Sequence, residues 1–153
     1  MATLYVLCGI PGSGKSHFCK NHKDDAVHVS RDAIRFALLE DDDDYFAHED
    51  EVYEIFWEKI NKELAAGHNV YADQTSLSFK PRHWLLSHIK VPCKKVAVYM
   101  DTPFEVCIKR NNKRVGRERV PVYIMKNMLK SMTIPTLDEG FDDIIIYNGG
   151  DEI

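Results

Sequence analysis

Residues 9–16 read G-I-P-G-S-G-K-S and follow a short apolar run, T-L-Y-V-L-C, at residues 3–8. The pattern G-x-x-x-x-G-K-[ST] has one widespread use, a loop between a strand and a helix that wraps phosphates. Glycines at 9, 12 and 14 let the backbone turn its N–H groups inward, and L-residues with a Cβ resist that turn. In such a loop Pro11 and Ser13 sit between the glycines, Lys15 reaches the β- and γ-phosphates, and the Ser16 hydroxyl is suited to Mg²⁺. The motif therefore predicts an ATP or GTP site, and it demands a strand before and a helix after.

The rest of the chain supplies that alternation. Short apolar segments at 26–30, 69–73, 96–101 and 144–147 read as strands. Helical spacing connects them: 15–22, 31–39, and 48–66 with Val52, Ile55, Phe56, Ile60 and Leu64 on one stripe. Further helices are expected from Pro81 to about 89, from Pro103 to about 111, and over about 121–132. Apolar strands alternating with helices predict a three-layer α/β fold of the P-loop NTPase kinase type, with a mainly parallel five-stranded sheet. The 153 residues suit a single domain. In such sheets ligands sit at the carboxyl ends of the strands. That points to Gly9 onward, to Arg31 and Asp32, to Asp73–Gln74–Thr75, and to Asp101.

Several classes are disfavoured. The net charge of −4 argues against a large nucleic-acid footprint, though it allows a local basic groove. Cysteines 8, 19, 93 and 107 form no C-x-x-C pair, and no H-E-x-x-H is present, so a zinc site is not expected. Cys8 and Cys107 read as small core residues. No apolar stretch is long enough for a membrane span, and the start carries no leader pattern, so a cytoplasmic protein is expected.

The acceptor side is written after the second and third strands. Asp32 and Arg35 share one face of a helical turn, where a carboxylate can take a proton from an attacking hydroxyl and an arginine can grip a phosphate or carboxylate. Asp73 suits Mg²⁺ or positions the acceptor, while Asp101 reads as a cap for the helix after Pro103. Residues 109–119, K-R-N-N-K-R-V-G-R-E-R, hold six basic side chains in eleven, in a chain that is net acidic. Arg110 and Arg114, four apart, read as an arginine lid over about 109–120 that neutralises the transferring phosphoryl group. The run Asp41 to Asp44 reads as a solvated loop.

Taken together, G-I-P-G-S-G-K-S, S-R-D-x-x-R, Y-A-D-Q-T, K-R-N-N-K-R and V-P-x-x-I-x-x-x-M resemble the kinase domain of the bacteriophage polynucleotide 5′-kinase family, in order and over residues 3 to about 132. The resemblance implies that Lys15 and Ser16 serve ATP and Mg²⁺, and that Asp32 is the general base for a 5′-hydroxyl. It implies that Arg35 binds the acceptor's 3′-phosphate. Arg114 would stabilise the transferring phosphate with Arg110 nearby, and Val120, Pro121, Ile124 and Met128 would form an apolar floor under the terminal base. Gln74 stands where a small hydroxyl residue is usual, with Thr75 next to it, and the stretch from Arg114 to Val120 is one residue longer. No D-x-D-x-T/V motif follows, so a kinase without the accompanying phosphatase domain is expected. The implied partners are ATP and a 5′-hydroxyl end of DNA or RNA. The alternatives are a small-molecule kinase acting on a nucleoside, sugar or other metabolite, and a nucleotide-binding module with no acceptor.

Overall fold

Strand β1 (Thr3–Cys8) alternates its side chains between two faces, and all but the first of its residues are buried. A strand with both faces covered needs a layer of helices on each side. A computed structural model, describing residues 1–22 and 24–149, has that architecture. β1 is followed by α1 (Lys15–Asn21), β2 (Val27–Ser30), α2 (Arg31–Leu38), α3 (Glu49–Ala65), β3 (Val70–Asp73) and α4 (Phe79–Ser87). Then come β4 (Lys94–Met100), α5 (Phe104–Asn112), α6 (Val122–Ser131) and β5 (Asp143–Tyr147), with single 3₁₀ turns at Gly116–Glu118 and Leu137–Glu139. The sheet order is β2-β3-β1-β4-β5, and every pairing is parallel. Residues Asp151 and Glu152, which make the sequence after β5 acidic, lie outside the described residues.

Period-two alternation assigns the core. Leu4, Val6 and Cys8 face Val52, Phe56, Ile60 and Leu64, the single stripe of α3, together with Leu85 of α4. Tyr5 and Leu7 face the other way, onto Phe18 of α1, Tyr71, Val98 and Met100. Burying a large apolar side chain of this kind contributes about 1.5–3 kcal/mol. A smaller cluster, Ile10, Leu77, Cys107 and Met125, lies under the carboxyl ends of the strands and supports α5 and α6 there. The four cysteines are free, and burial pushes the Cys8 thiol up to about 12, in keeping with a core role.

Three local expectations change. α4 starts at Phe79, after Ser78 in extended conformation, and not at Pro81. Pro81 occupies the first turn, where a backbone N–H has no intrahelical partner to lose. β4 begins two residues before its apolar run, because Lys94 and Lys95 pair in register with Thr3 and Leu4 while keeping exposed or half-exposed side chains. Asp101 does not cap α5: Pro103 holds the cap position and no side chain bonds there. Instead the Asp101 backbone N–H donates to Tyr147 O at 2.8 Å, continuing the β4–β5 edge.

Candidate active site

β1 runs straight into the glycine loop. Gly12 and Gly14 have φ of 80° and 100°, in the left-handed region. A Cβ on Gly12 would stand 2.5 Å from the Cys107 carbonyl oxygen, so α5 passes too close for any other residue. The Gly9 N–H donates to Thr75 O at 2.9 Å, fastening the loop to the exit of β3. Thr102 Oγ1 donates to Ser13 O at 2.8 Å, and Arg110 Nη1 donates to Gly12 O at 3.1 Å, so the loop is also held from the α5 side. Arg110 thus braces the loop's backbone, and its other amino group bonds to Gly149 O.

The loop forms one wall of a cleft of about 640 Å³. Of the residues singled out from sequence, Pro11, Gly12, Gly14, Lys15, Ser16, Asp32, Arg35, Asp73, Gln74, Thr75, Arg110, Arg114, Val120 and Met128 line it. Ser13 is buried within the loop, and Gly9 beneath it packs on Met100. Pro121 and Ile124 do not line the cleft. Asn111, fully buried, explains why: its side chain donates to Val120 O at 2.7 Å and accepts from Val120 N at 3.0 Å. Val120 is pinned beside the cleft, while Pro121 caps α6 and directs it away, leaving Met128 a turn later to return. A second cavity, of about 570 Å³, lies near the end of α1 between Cys19, His22 and Tyr71, away from the loop.

Polar side chains converge on the strand ends. Lys15 Nζ is 3.5 Å from Asp73 Oδ1, and His28 Nε2 is 2.8 Å from Asp73 Oδ2. Burial pushes the Asp73 carboxyl up, but the charges and hydrogen bonds of Lys15 and His28 outweigh it and hold the group below the usual carboxylate range. Asp73 therefore stays ionised. The Ser16 hydroxyl and the Asp73 carboxylate are hard oxygen donors on one cleft. Among the described residues no group of three or more His, Cys, Asp or Glu could hold a metal ion.

After β2, Asp32 stands 65% exposed and pairs with Arg35, whose side chain is only 4% exposed. Arg35 is gripped harder by Glu49, receiving it in a fork with Nη2 at 2.6 Å and Nε at 3.0 Å. Burial pushes the Arg35 guanidinium down, but its bonds to Glu49 and the charges of Tyr45, Glu49 and Asp32 hold it above its ordinary value. Glu49 also accepts from Arg31 Nη2 at 2.5 Å, and the two arginines keep its carboxyl below the usual range despite burial. Arg31 Nη1 further donates to Gln74 Oε1 at 3.2 Å, which gives Gln74 a role no small hydroxyl residue would fill. The guanidinium of Arg35 lies 4.7 Å from the Tyr45 ring centroid and 5.7 Å from that of Phe46.

The acidic loop is not merely solvated. Arg117 Nη2 donates to the backbone carbonyls of Asp41 at 2.8 Å and Asp43 at 2.6 Å, joining the basic segment to this loop across the cleft. Phe36, Tyr45 and Phe46 line the cleft without having been singled out from sequence; Arg31, noted only as a strand-end residue, and Arg117, noted only within the basic lid, line it too, and Glu49 was missed. The contacts of Glu49 and Arg117 span 14 to 76 residues, so no local pattern announces them.

A glycine loop after β1, a lysine and serine opening α1, and carboxylates at the ends of the neighbouring strands define a P-loop kinase-type domain. The chain belongs to the AAA domain family, whose profile AAA_33 matches residues 4–135. It is 27% identical over 166 residues to transcription factor bHLH140 of Arabidopsis thaliana, an alignment covering 97% of this chain and 16% of that protein. Among solved structures it is similar to a chain of the Pnkp1/Rnl/Hen1 RNA repair complex, with TM-score 0.72 and 23% identity, over 85% of this chain and 43% of that one. It is also similar to a sugar kinase from Janibacter sp. HTCC2649, with TM-score 0.66 and 18% identity, over 97% of this chain and 86% of that one. At these identities the structural likeness concerns the fold. The chain spans less than half the length of the curated relative and of the RNA repair chain. No helix among the described residues is long and apolar enough to cross a membrane.

Proposed function

We propose that this chain is an ATP-dependent kinase domain of bacteriophage polynucleotide-kinase type, transferring the γ-phosphate to the 5′-hydroxyl of DNA or RNA. One observation carries the choice of acceptor. Beside the glycine loop, the cleft is lined by arginines 31, 35, 114 and 117 together with apolar Phe36, Tyr45, Phe46, Val120 and Met128. An acceptor that uses both must bring an anionic phosphate and a planar base, as a nucleic-acid end does and a sugar does not.

In this reading the glycine loop and Lys15 hold the triphosphate, and Asp32 at the cleft mouth takes the proton of the 5′-hydroxyl. The hydroxyl oxygen forms its bond to the γ-phosphorus as the bond to the β,γ-bridging oxygen breaks, and ADP leaves. Arg114 balances the charge of the phosphoryl group in flight, Arg110 braces the loop, and Arg35 and Gln74 face the acceptor's next phosphate and sugar. The donor set fits Mg²⁺, because Ser16 and the ionised Asp73 offer hard oxygens and this ion is held by few protein ligands plus phosphates and water. When bound it neutralises β- and γ-phosphate charge. A basic lid over 109–120 closes one side of the single kinase domain, and four free cysteines suit a reducing, cytoplasmic setting.

The occupied state of Arg35 favours a second reading, a small-molecule kinase, since a neutral acceptor would leave the Glu49 fork intact. Incubation with γ-labelled ATP separates the two. Label is expected on a 5′-hydroxyl oligonucleotide and not on its 5′-phosphorylated twin. ADP release with a sugar or nucleoside panel and no label on any oligonucleotide would refute the polynucleotide reading.

A further inference from the structure

Asp73 divides its two oxygens between different neighbours. Oδ1 faces Lys15, whose side chain is 14% exposed, and Oδ2 faces His28 on the adjacent strand β2. The Asp73 side chain is itself only 12% exposed. An ionised carboxylate can only accept hydrogen bonds, so at 2.8 Å the His28 Nε2 must carry the hydrogen and donate it. Register explains the reach: Ser30 stands opposite Asp73 in the β2–β3 pair, with His28 two residues earlier on the same face of β2. His28 does not line the cleft, so its effect on a bound nucleotide passes through Asp73.

Lys15 belongs, by the logic of the glycine loop, to the β- and γ-phosphates. When it turns to them it leaves Oδ1, and a nearly buried carboxylate without partners is costly. We propose that His28 is the positioning residue for this exchange: it keeps hold of Oδ2, fixing the Asp73 carboxylate so that Oδ1 presents toward the cleft when a nucleotide-bound divalent cation takes the place of the Lys15 ammonium. The proposal rests on Asp73 being the acid that faces the magnesium ion. It is the arrangement by which an outer partner orients an inner ligand, and losing such partners typically costs about 10–100-fold in metal affinity.

The test is binding of a fluorescent ATP analogue to the full chain, titrated with Mg²⁺, for the wild type, His28→Ala, His28→Gln and Ser16→Ala. Circular dichroism establishes that each is folded. For H28A the Mg²⁺ concentration at half-saturation should rise about tenfold or more, while nucleotide affinity in chelator stays at the wild-type value. For H28Q, whose amide can donate to the same oxygen, most of the shift should be recovered. If H28A superimposes on wild type while S16A shifts, the inference fails and the magnesium reading stands. If Mg²⁺ changes nothing in wild type or S16A, the magnesium reading fails and the inference falls with it. An H28Q as impaired as H28A would overturn the hydrogen-bond role in favour of ring packing.

Discussion

Replacing Arg82 by Met should destabilise the fold and disturb the cleft, although the residues it bonds, Glu139, Ser76 and Thr133, do not line it. Its side chain is 1% exposed and pairs with Glu139, 7% exposed, with Nε to Oε1 at 2.7 Å. Further bonds go to Ser76 O at 3.1 Å, Thr133 O at 3.1 Å and Thr133 Oγ1 at 2.9 Å. Met fills a similar volume, so the loss is mainly electrostatic. Stripping one partner from a buried pair costs about 3–5 kcal/mol. Glu139 keeps bonds from Thr136 N at 2.8 Å and Thr136 Oγ1 at 3.4 Å, which places the expectation toward the lower end of that range. For a chain of this size each kcal/mol moves the midpoint by about 2–4 °C, so Tm should fall by about 6–12 °C. The double variant R82M/E139L removes the stranded carboxylate along with its partner and should regain more than half of the loss. Calorimetry and urea unfolding of R82M, E139L and R82M/E139L measure this. A drop below about 1 kcal/mol in R82M, the size of one ordinary hydrogen bond, would refute the reasoning. So would a double variant as unstable as the sum of the singles. A second consequence is local. Ser76 sits at φ 45°, a left-handed conformation costly for a residue with a Cβ, and Arg82 holds its carbonyl. Ser76 follows Gln74 and Thr75, so R82M should also raise KM for the acceptor more than KM for ATP.

Asp32→Asn keeps the shape at the cleft mouth and removes the carboxylate proposed as the base; kcat should fall about a hundredfold or more, with nucleotide affinity unchanged, as followed by single-turnover phosphoryl transfer. Folding should also depend on acid. Glu49 and Glu139 are held below the usual carboxylate range by arginines, so their contribution is complete above the unfolded value of about 4.3 and is lost as pH falls through the lower folded values. Urea midpoints measured from pH 7 down to 3 should be level at first and then drop, and the drop should be shallower in R82M/E139L.

The sheet and the phosphate loop were legible because their signals are local. Apolar runs of strand length, the α3 stripe and the spacing of glycines 9, 12 and 14 each state their purpose within a few residues. The rest of the cleft was legible only in part. Asp32, Arg35 and Asp73 could be placed on the cleft because strand ends point there, but the partners that decide their state could not. Glu49 lies 14 residues from Arg35 and reads as an ordinary acid in a helix's first turn. Arg82 reads as a solvated helix residue, and its partner is 57 residues away. Proline misled at Pro81, where a first-turn position and a helix start look alike. Asp101 misled because an acid before a proline suggests a cap, while the edge of the sheet claimed its backbone.

The bridge from Arg117 to the acidic loop ends on the backbone carbonyls of Asp41 and Asp43 and not on their carboxylates. The strut across the entrance and the electric field at the entrance are therefore under separate control. Exchanging Asp41 or Asp42 for a neutral residue leaves the carbonyls in place and the strut standing, yet changes what an approaching anion meets. Asp43 is less free, because its carboxylate also ties Glu40 N and His48 within the loop. Charge at this entrance can thus be edited while the strut that spans it keeps its anchors.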